Sequence, residues 1–278
     1  MLKQILSTIL SPEETAQVYS AFDQIGQIVI IKIPDSLMPK KLVIANAILE
    51  NIKTAKSVFA QVSAVQGDYR VRELEHLAGE NQTITEYKEH GCRFKVDVAK
   101  TYFSPRLSTE RQRIASMVHD DEVIVNMFAG VGTYSIVIAK ANRTCRVYSI
   151  DSNSAAAESC EFNAKLNKVQ DRVISICGDA ATEIRNHLAG KADRVIMPLP
   201  ERASEFVSEA VLALKPEGGM VHYFAHIKAE NKKASKDAGM KDVEVSFSAY
   251  KYEIACARVV REVGPRIYQI VSDIHVTR

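Results

Sequence analysis

The chain has 278 residues, 46% of them hydrophobic, which is enough to bury the core of one large domain or two modest ones. Charged residues make up 25% and the formal net charge is +2, so bulk charge carries no nucleic-acid or membrane signature. No apolar run approaches the ~18 residues of a bilayer-spanning helix. The five cysteines (Cys92, Cys145, Cys160, Cys177, Cys256) are scattered, with no C-x-x-C to suggest a disulfide framework or a zinc site.

Ser11-Pro12-Glu13-Glu14 reads as a helix start, with serine as N-cap, proline at the first helical position and acids in the first turn; the helix is expected to reach Phe22. Gln27–Ile33, continuous in Ile and Val, reads as a strand ended by Pro34-Asp35. Apolar residues at helical spacing (Leu42, Ile44, Ala45, Ala47, Ile48) predict a helix over Met38–Asn51. Ser57–Ala64 and Asp68–Leu74 read as strands around Gln66-Gly67. Gln82–Tyr87 and Arg93–Asp97 read as a hairpin turning at Glu89-His90-Gly91. Residues 1–107 are therefore expected to form a small α+β domain. Thr101–Pro105 reads as a loop, and Ser108 as the cap of a helix from Thr109 to about His119.

Residues 108–278 read as an α/β domain. The apolar run Val123–Val125 enters a turn with Gly130 and Gly132, and a helix-like run, Tyr134–Lys140, follows. A strand that breaks at glycines and restarts as a helix leaves backbone N–H groups facing a crevice. Alone, this G-x-G is weak, since a turn without a ligand explains it equally well. The downstream spacing adds weight. A second strand, Arg146–Ile150, ends at Asp151, an acid placed to accept ribose hydroxyls. A third, Arg172–Cys177, closes on Gly178-Asp179-Ala180. A fourth, Arg194–Met197, closes on Pro198-Leu199-Pro200. The third glycine of the dinucleotide fingerprint is absent, which favours a nucleoside cofactor over NAD. After Gly219–Phe224, the segments Val243–Tyr250 and Tyr268–Val276 read as strands, and such a final pair is most simply an antiparallel hairpin at the sheet edge.

Three segments carry candidate chemistry for a second substrate. Arg70 and Arg72 would share one strand face, either as a cationic surface or as salt bridges with Glu73 or Glu75. Tyr102, Arg106 and their neighbours interleave aromatic and basic residues, which suits stacking on an unpaired base and holding phosphate. Glu110, in a first helical turn, is either a capping carboxylate or one aimed at the crevice mouth. Pro198-Leu199-Pro200 is either a rigid ligand-facing turn or a plain strand end. The one local basic excess, Arg93–Arg113, is read equally well as a solvated face. The seven histidines show no metal-binding spacing, and no P-loop or G-x-S-x-G elbow is present.

In combination, Tyr69-Arg70-Val71-Arg72, Tyr102-Phe103-Ser104-Pro105-Arg106-Leu107, Glu110-Arg111, Phe128-Ala129-Gly130-Val131-Gly132, Ile150-Asp151-Ser152-Asn153, Pro198-Leu199-Pro200 and Gly218-Gly219-Met220-Val221-His222-Tyr223-Phe224 resemble the archaeal/eukaryotic tRNA guanine-37 N1-methyltransferase family. The likeness covers nearly the whole chain from about Glu13. It implies a class I, Rossmann-like methyltransferase sheet that uses S-adenosyl-L-methionine, preceded by the small α+β domain, and a tRNA substrate modified in its anticodon loop at G37. By this resemblance Glu110 is the general base and Arg70 steadies charge on guanine O6. Tyr102 lies near the flipped base. Phe128, Gly130, Gly132, Asp151, Ser152, Asp179, Ala180 and Pro198 line the cofactor pocket, and Arg106, Pro198, Leu199 and Pro200 face the substrate. A cytoplasmic monomer without a metal is the expectation.

Two departures stand out. Pro198 replaces an asparagine common in the family, and the chain starts almost directly at the family's second domain, which predicts weaker tRNA binding with less checking of tRNA shape, or a partner that compensates. The sister enzymes of wyosine synthesis, which transfer an aminocarboxypropyl group or methylate a ring carbon at position 37, form one alternative. A non-catalytic RNA-binding subunit of the same fold forms the other.

Overall fold

The computed structural model describes residues 2–62 and 72–277. They form two compact units, Met1–Arg106 and Leu107–Arg278. In the first, α1 (Leu2–Leu6) and α2 (Pro12–Gln17) precede β1 (Asp23–Ile25), β2 (Ile28–Ile31), α3 (Lys41–Asn51), β3 (Ser57–Gln61) and β4 (Leu74–Gly79). The four strands make one mixed sheet in chain order, with the β2–β3 pair parallel and crossed by α3. Leu6, Ile44 and Ile48 pack on Val29, Ile31 and Val58 in one apolar core. A separate hairpin, β5 (Ile84–Glu89) and β6 (Cys92–Asp97), turns at His90-Gly91, both with positive φ.

The helix start at Ser11 is present as a full capping box with Glu14. That helix ends at Gln17 rather than Phe22, because Val18 is already extended and the chain must open to build β1. A 3-10 turn, Asp35–Lys40, occupies the start of the segment expected as helix from Met38. The proposed strand Asp68–Leu74 falls largely outside the described residues.

The second unit runs α4 (Ser108–Ser116), β7 (Val123–Asn126), α5 (Thr133–Ala141), β8 (Arg146–Asp151), α6 (Ser154–Leu166), β9 (Val173–Cys177), α7 (Ala180–Glu183), β10 (Arg194–Met197), α8 (Val207–Ala213), β11 (Gly219–Lys228), α9 (Lys232–Ser246), β12 (Lys251–Gly264) and β13 (Ile267–Thr277). The sheet order is β12-β13-β11-β10-β7-β8-β9. Strands β7 to β11 are parallel, and an antiparallel edge hairpin closes the sheet as expected, but it pairs β13 with Lys251–Gly264 (β12) rather than with Val243–Tyr250. Alternation along the strands divides the two faces. Val125, Val195, Val221, Tyr223 and Ile274 pack with α8 and α9 residues in one core. On the opposite face, Phe224 meets Tyr134 of α5 edge to face. The order reverses between β7 and β10, the switch point where open α/β sheets leave a crevice beyond the strands' carboxyl ends.

Two sequence expectations are corrected here. Val243–Tyr250 is not a strand: α9 runs to Ser246, started by Asn231, whose side chain accepts from the Lys233 and Ala234 N–H groups. Its alternating apolar residues mimic a strand, yet Val243 and Phe247, four apart, are buried while Val245 is 76% exposed, which is helical spacing. Ser108 is not the cap of α4. A 3-10 turn, Pro105–Leu107, runs straight into the helix, so Leu107 takes the cap position without a side-chain bond.

Candidate active site

The turn after β7 is held from both sides. The Met127 N–H donates to Ile196 of β10 (3.0 Å), and the Ala129 N–H to Ile150 of β8 (2.8 Å). The turn's exit requires glycine. Gly132 has φ +85°, and a Cβ there would lie 2.6 Å from the Cys160 sulfur of α6. Asn163 of α6 donates to the Val131 carbonyl (3.1 Å), backing the turn from behind. Asp151, at the end of β8, accepts from the Gly130 N–H (2.7 Å) with one oxygen and from the Asn153 N–H (3.0 Å) with the other. Burial raises its carboxyl above the usual range, against those two bonds. Phe128 lies edge to face on Phe206 (5.0 Å). Asp179 caps α7 through the Thr182 N–H (2.9 Å) and leads into buried Ala180, while Ser152 is exposed. In the turn after β10, the Leu199 and Pro200 carbonyls accept from the Arg202 and His226 N–H groups.

Gly130, Gly132, Asp151, Ser152, Asp179, Ala180 and Pro198 therefore stand at the carboxyl ends of four adjacent parallel strands, one crevice rim. The cradle fits a nucleoside group: a glycine-walled turn that permits close approach, with a half-buried carboxylate oriented by backbone N–H groups.

Glu110 lies on α4 of the same unit, with Arg113 of its own helix and Arg258 of β12 as its charged partners. Arg194, at the start of β10, donates to the Met117 carbonyl at the other end of the helix (2.9 Å). Glu110 is 2% exposed and does not cap the helix. Its Oε1 accepts from Arg113 Nε (2.9 Å) and Nη2 (2.6 Å). Its buried Oε2 accepts no hydrogen bond, and Arg258 of β12 stands 3.4 Å from it. Burial outweighs the two arginines and pushes the Glu110 carboxyl above its ordinary value.

Behind Glu110 runs a network that the sequence did not signal. Arg113 also donates to both oxygens of Asp273 (2.6 and 3.0 Å). Asp273 pairs with His222 Nδ1 (2.6 Å), and His222 Nε2 faces Arg194 Nη1 (2.8 Å). Arg194 forks onto Glu122 (2.7 and 2.9 Å). An arginine can only donate, so His222 Nε2 accepts and its proton sits on Nδ1. Burial holds this histidine neutral, with its pKa lowered. The i, i+3 spacing from Glu110 to Arg113 was the one local clue.

The other expected residues are distributed differently. Arg70 lies outside the described residues. Arg72 is structural: it is 10% exposed, pairs with Asp23 (3.2 Å) rather than Glu73 or Glu75, and donates to the Phe103 carbonyl (3.3 Å). Arg106 is half-exposed and shares the same Asp23 (2.9 Å). Tyr102 is half-buried, next to Phe103, which stacks edge to face on Tyr87 (4.9 Å). The basic excess from Arg93 to Arg113 is no continuous patch, since Arg93 pairs with Glu86 (2.5 Å) and Arg111 and Arg113 turn inward. Among the described residues, no group of His, Cys, Asp and Glu could hold a metal ion, and no helix is long and apolar enough to cross a membrane.

Comparison with known proteins accounts for this architecture. The TRM5/TYW2 methyltransferase domain model matches residues 85–255, and the TYW2 N-terminal domain model matches residues 2–83. The tRNA (guanine(37)-N(1))-methyltransferase Trm5b of Pyrococcus abyssi is 41% identical over 93% of this chain and 75% of its own length. The tRNA 4-demethylwyosine(37)-methyltransferase Taw21 of Saccharolobus solfataricus is 38% identical over 94% of this chain and 96% of its own. The solved complex of aTrm5 and tRNALeu superposes with a TM-score of 0.86 at 36% identity, covering 99% of this chain and 78% of that one. A family match over more than half the chain, on a sheet of the matching topology, settles the kinship: this chain belongs to the TRM5/TYW2 methyltransferase family.

Proposed function

We propose that the protein methylates N1 of guanosine 37 in tRNA, with Glu110 as general base. The observation that carries this reading is the buried Glu110 carboxylate on α4 of the methyltransferase unit, its affinity for a proton raised by burial and one oxygen left without a hydrogen bond. N1 of neutral guanine carries a proton and no free lone pair, so a base of raised pKa within reach of that proton is what the reaction needs. Glu110 takes the N1 proton on Oε2. The charge left on the ring spreads to O6, where Arg70 is assigned to steady it. Tyr102 and Arg106 are assigned to the base and its phosphate.

S-adenosyl-L-methionine, when bound, supplies a methyl carbon activated by its sulfonium, the S–C electron pair staying on sulfur as N1–C forms. The Gly130–Gly132 turn would hold it from below, Asp151 would take its ribose hydroxyls, and Phe128, Ser152, Asp179 and Ala180 would enclose its base. In the Pro198 turn two of three carbonyls are already engaged, so the Pro198 carbonyl is the one assigned to the crevice.

A second reading has a specific observation behind it: Taw21, whose name places its methyl on a 4-demethylwyosine, resembles this chain over 94% of its length. Pro198 in place of the family's usual asparagine is compatible with a different base in the pocket. Nucleoside mass spectrometry on unmodified tRNA with G37, incubated with the protein and labelled S-adenosyl-L-methionine, decides between them. N1-methylguanosine that disappears when G37 is replaced by A supports the first reading. A product formed only on a wyosine precursor supports the second and removes Glu110 from the role of N1 base.

A further inference from the structure

We propose that Asp273, acting through Arg113, is a positioning residue that decides which oxygen of Glu110 accepts the substrate proton. The inference rests on the reading of Glu110 as general base. The two oxygens are not equivalent. Oε1 already receives two charge-assisted N–H bonds from Arg113, and protonating it would weaken both. Oε2 receives none, and Arg258 stands 3.4 Å from it. The proton therefore goes to Oε2, provided Arg113 does not turn.

Asp273 is what stops it from turning. Its carboxylate, 1% exposed, receives the opposite side of the Arg113 guanidinium in a two-bond fork (2.6 and 3.0 Å). Asp273 is itself fixed by His222 Nδ1–H, and His222 by Arg194, which Glu122 and the Met117 carbonyl hold. The arrangement also solves a charge problem. When Glu110 becomes neutral, a partner bound to it alone would be left as an uncompensated buried cation. Arg113 keeps Asp273, so Glu110 can give up its charge without orphaning the arginine. The charged groups facing Glu110 are Arg113 on its own helix, Arg258 on β12 and Asp273 on β13, and each contributes to its titration.

The sign of the effect follows. Removing the Asp273 charge hands all of Arg113 to Glu110, stabilises the carboxylate and weakens the base. Asp273→Asn should then shift the acid limb of the kcat/KM–pH profile down by about 0.5 unit or more and lower the plateau. Arg113→Gln should shift that limb upward. Arg113→Lys keeps the charge but loses the fork, and its limb should stay in place while the plateau falls tenfold or more.

An Asp273→Asn limb that does not move, or two neutral variants that shift in the same direction, overturns the proposal. Where Asp273→Asn does not fold, Arg113→Lys decides alone: a wild-type plateau overturns it and a tenfold loss supports it. Glu110→Gln separates the two levels of inference. Wild-type turnover there overturns the base assignment and this proposal together, whereas a dead Glu110→Gln beside an unmoved Asp273→Asn limb overturns only the positioning role.

Discussion

The glycine turn and the Glu110 network are built from different materials. The turn is backbone: N–H groups of Gly130 and Asn153 on Asp151, and Met127 and Ala129 N–H groups tied to the neighbouring strands. The network is side chain: Glu110, Arg113, Asp273, His222, Arg194 and Glu122, joined by hydrogen bonds and ion pairs. A backbone cradle is set by three or four residues in a row. A side-chain network draws its members from distant parts of the chain, and each holds the next.

That contrast is sharpest at Glu110. Glu110→Gln should lower turnover by ~10³-fold while S-adenosyl-L-methionine affinity stays within about twofold, read by single-turnover kinetics and calorimetry. A parallel loss of cofactor affinity would show that the turn and the network are one unit. Next in size, Asp273→Ala leaves Arg113 and His222 facing a void and should cost about 3–5 kcal/mol of stability in urea unfolding. On the cofactor side, Asp151→Ala removes the acceptor of two backbone N–H groups, and its cofactor affinity should fall ~10- to 100-fold with little change in the acid limb of the rate profile. Gly132→Ala should be milder, destabilising by about 1–2 kcal/mol for the left-handed backbone, plus whatever Cys160 must yield.

The network also sets a pH window. His222 and Arg113 hold the Asp273 carboxyl far below its ordinary value of 3.8. Its stabilisation is fully present above that value and is lost as pH falls below it toward the folded-state pKa. Acid unfolding of the wild type should therefore be steeper below about pH 4 than that of Asp273→Asn.

How much of this was legible in the sequence follows the same division. The strands from Val123 to Met197 and the turns closing them were readable because each is a local statement: β-branched runs, then glycine, acid or proline. Residues 243–250 misled because Val243, Val245 and Phe247 alternate, and only the Asn231 cap, far upstream, commits them to a helix. The network was invisible for a different reason. Arg113 and Asp273 are 160 residues apart, His222 and Asp273 51, and each alone looks like an ordinary charged or polar residue. Arg72 and Arg106 show the converse, since arginines that suggest a ligand both pair with Asp23 within their own unit.

Cys160 turns the cofactor cradle into a clock. Its sulfur lies directly behind Gly132, it has no exposed surface, and burial pushes its thiol up to about 11. A thiol so placed is inert toward an alkylating reagent until the glycine turn parts from α6. Exposed Cys177 and Cys256 react at once and can be replaced by serine beforehand. The slow alkylation that remains, followed by mass spectrometry at Cys160, then counts openings of the turn, and S-adenosyl-L-methionine seated in it should slow that count.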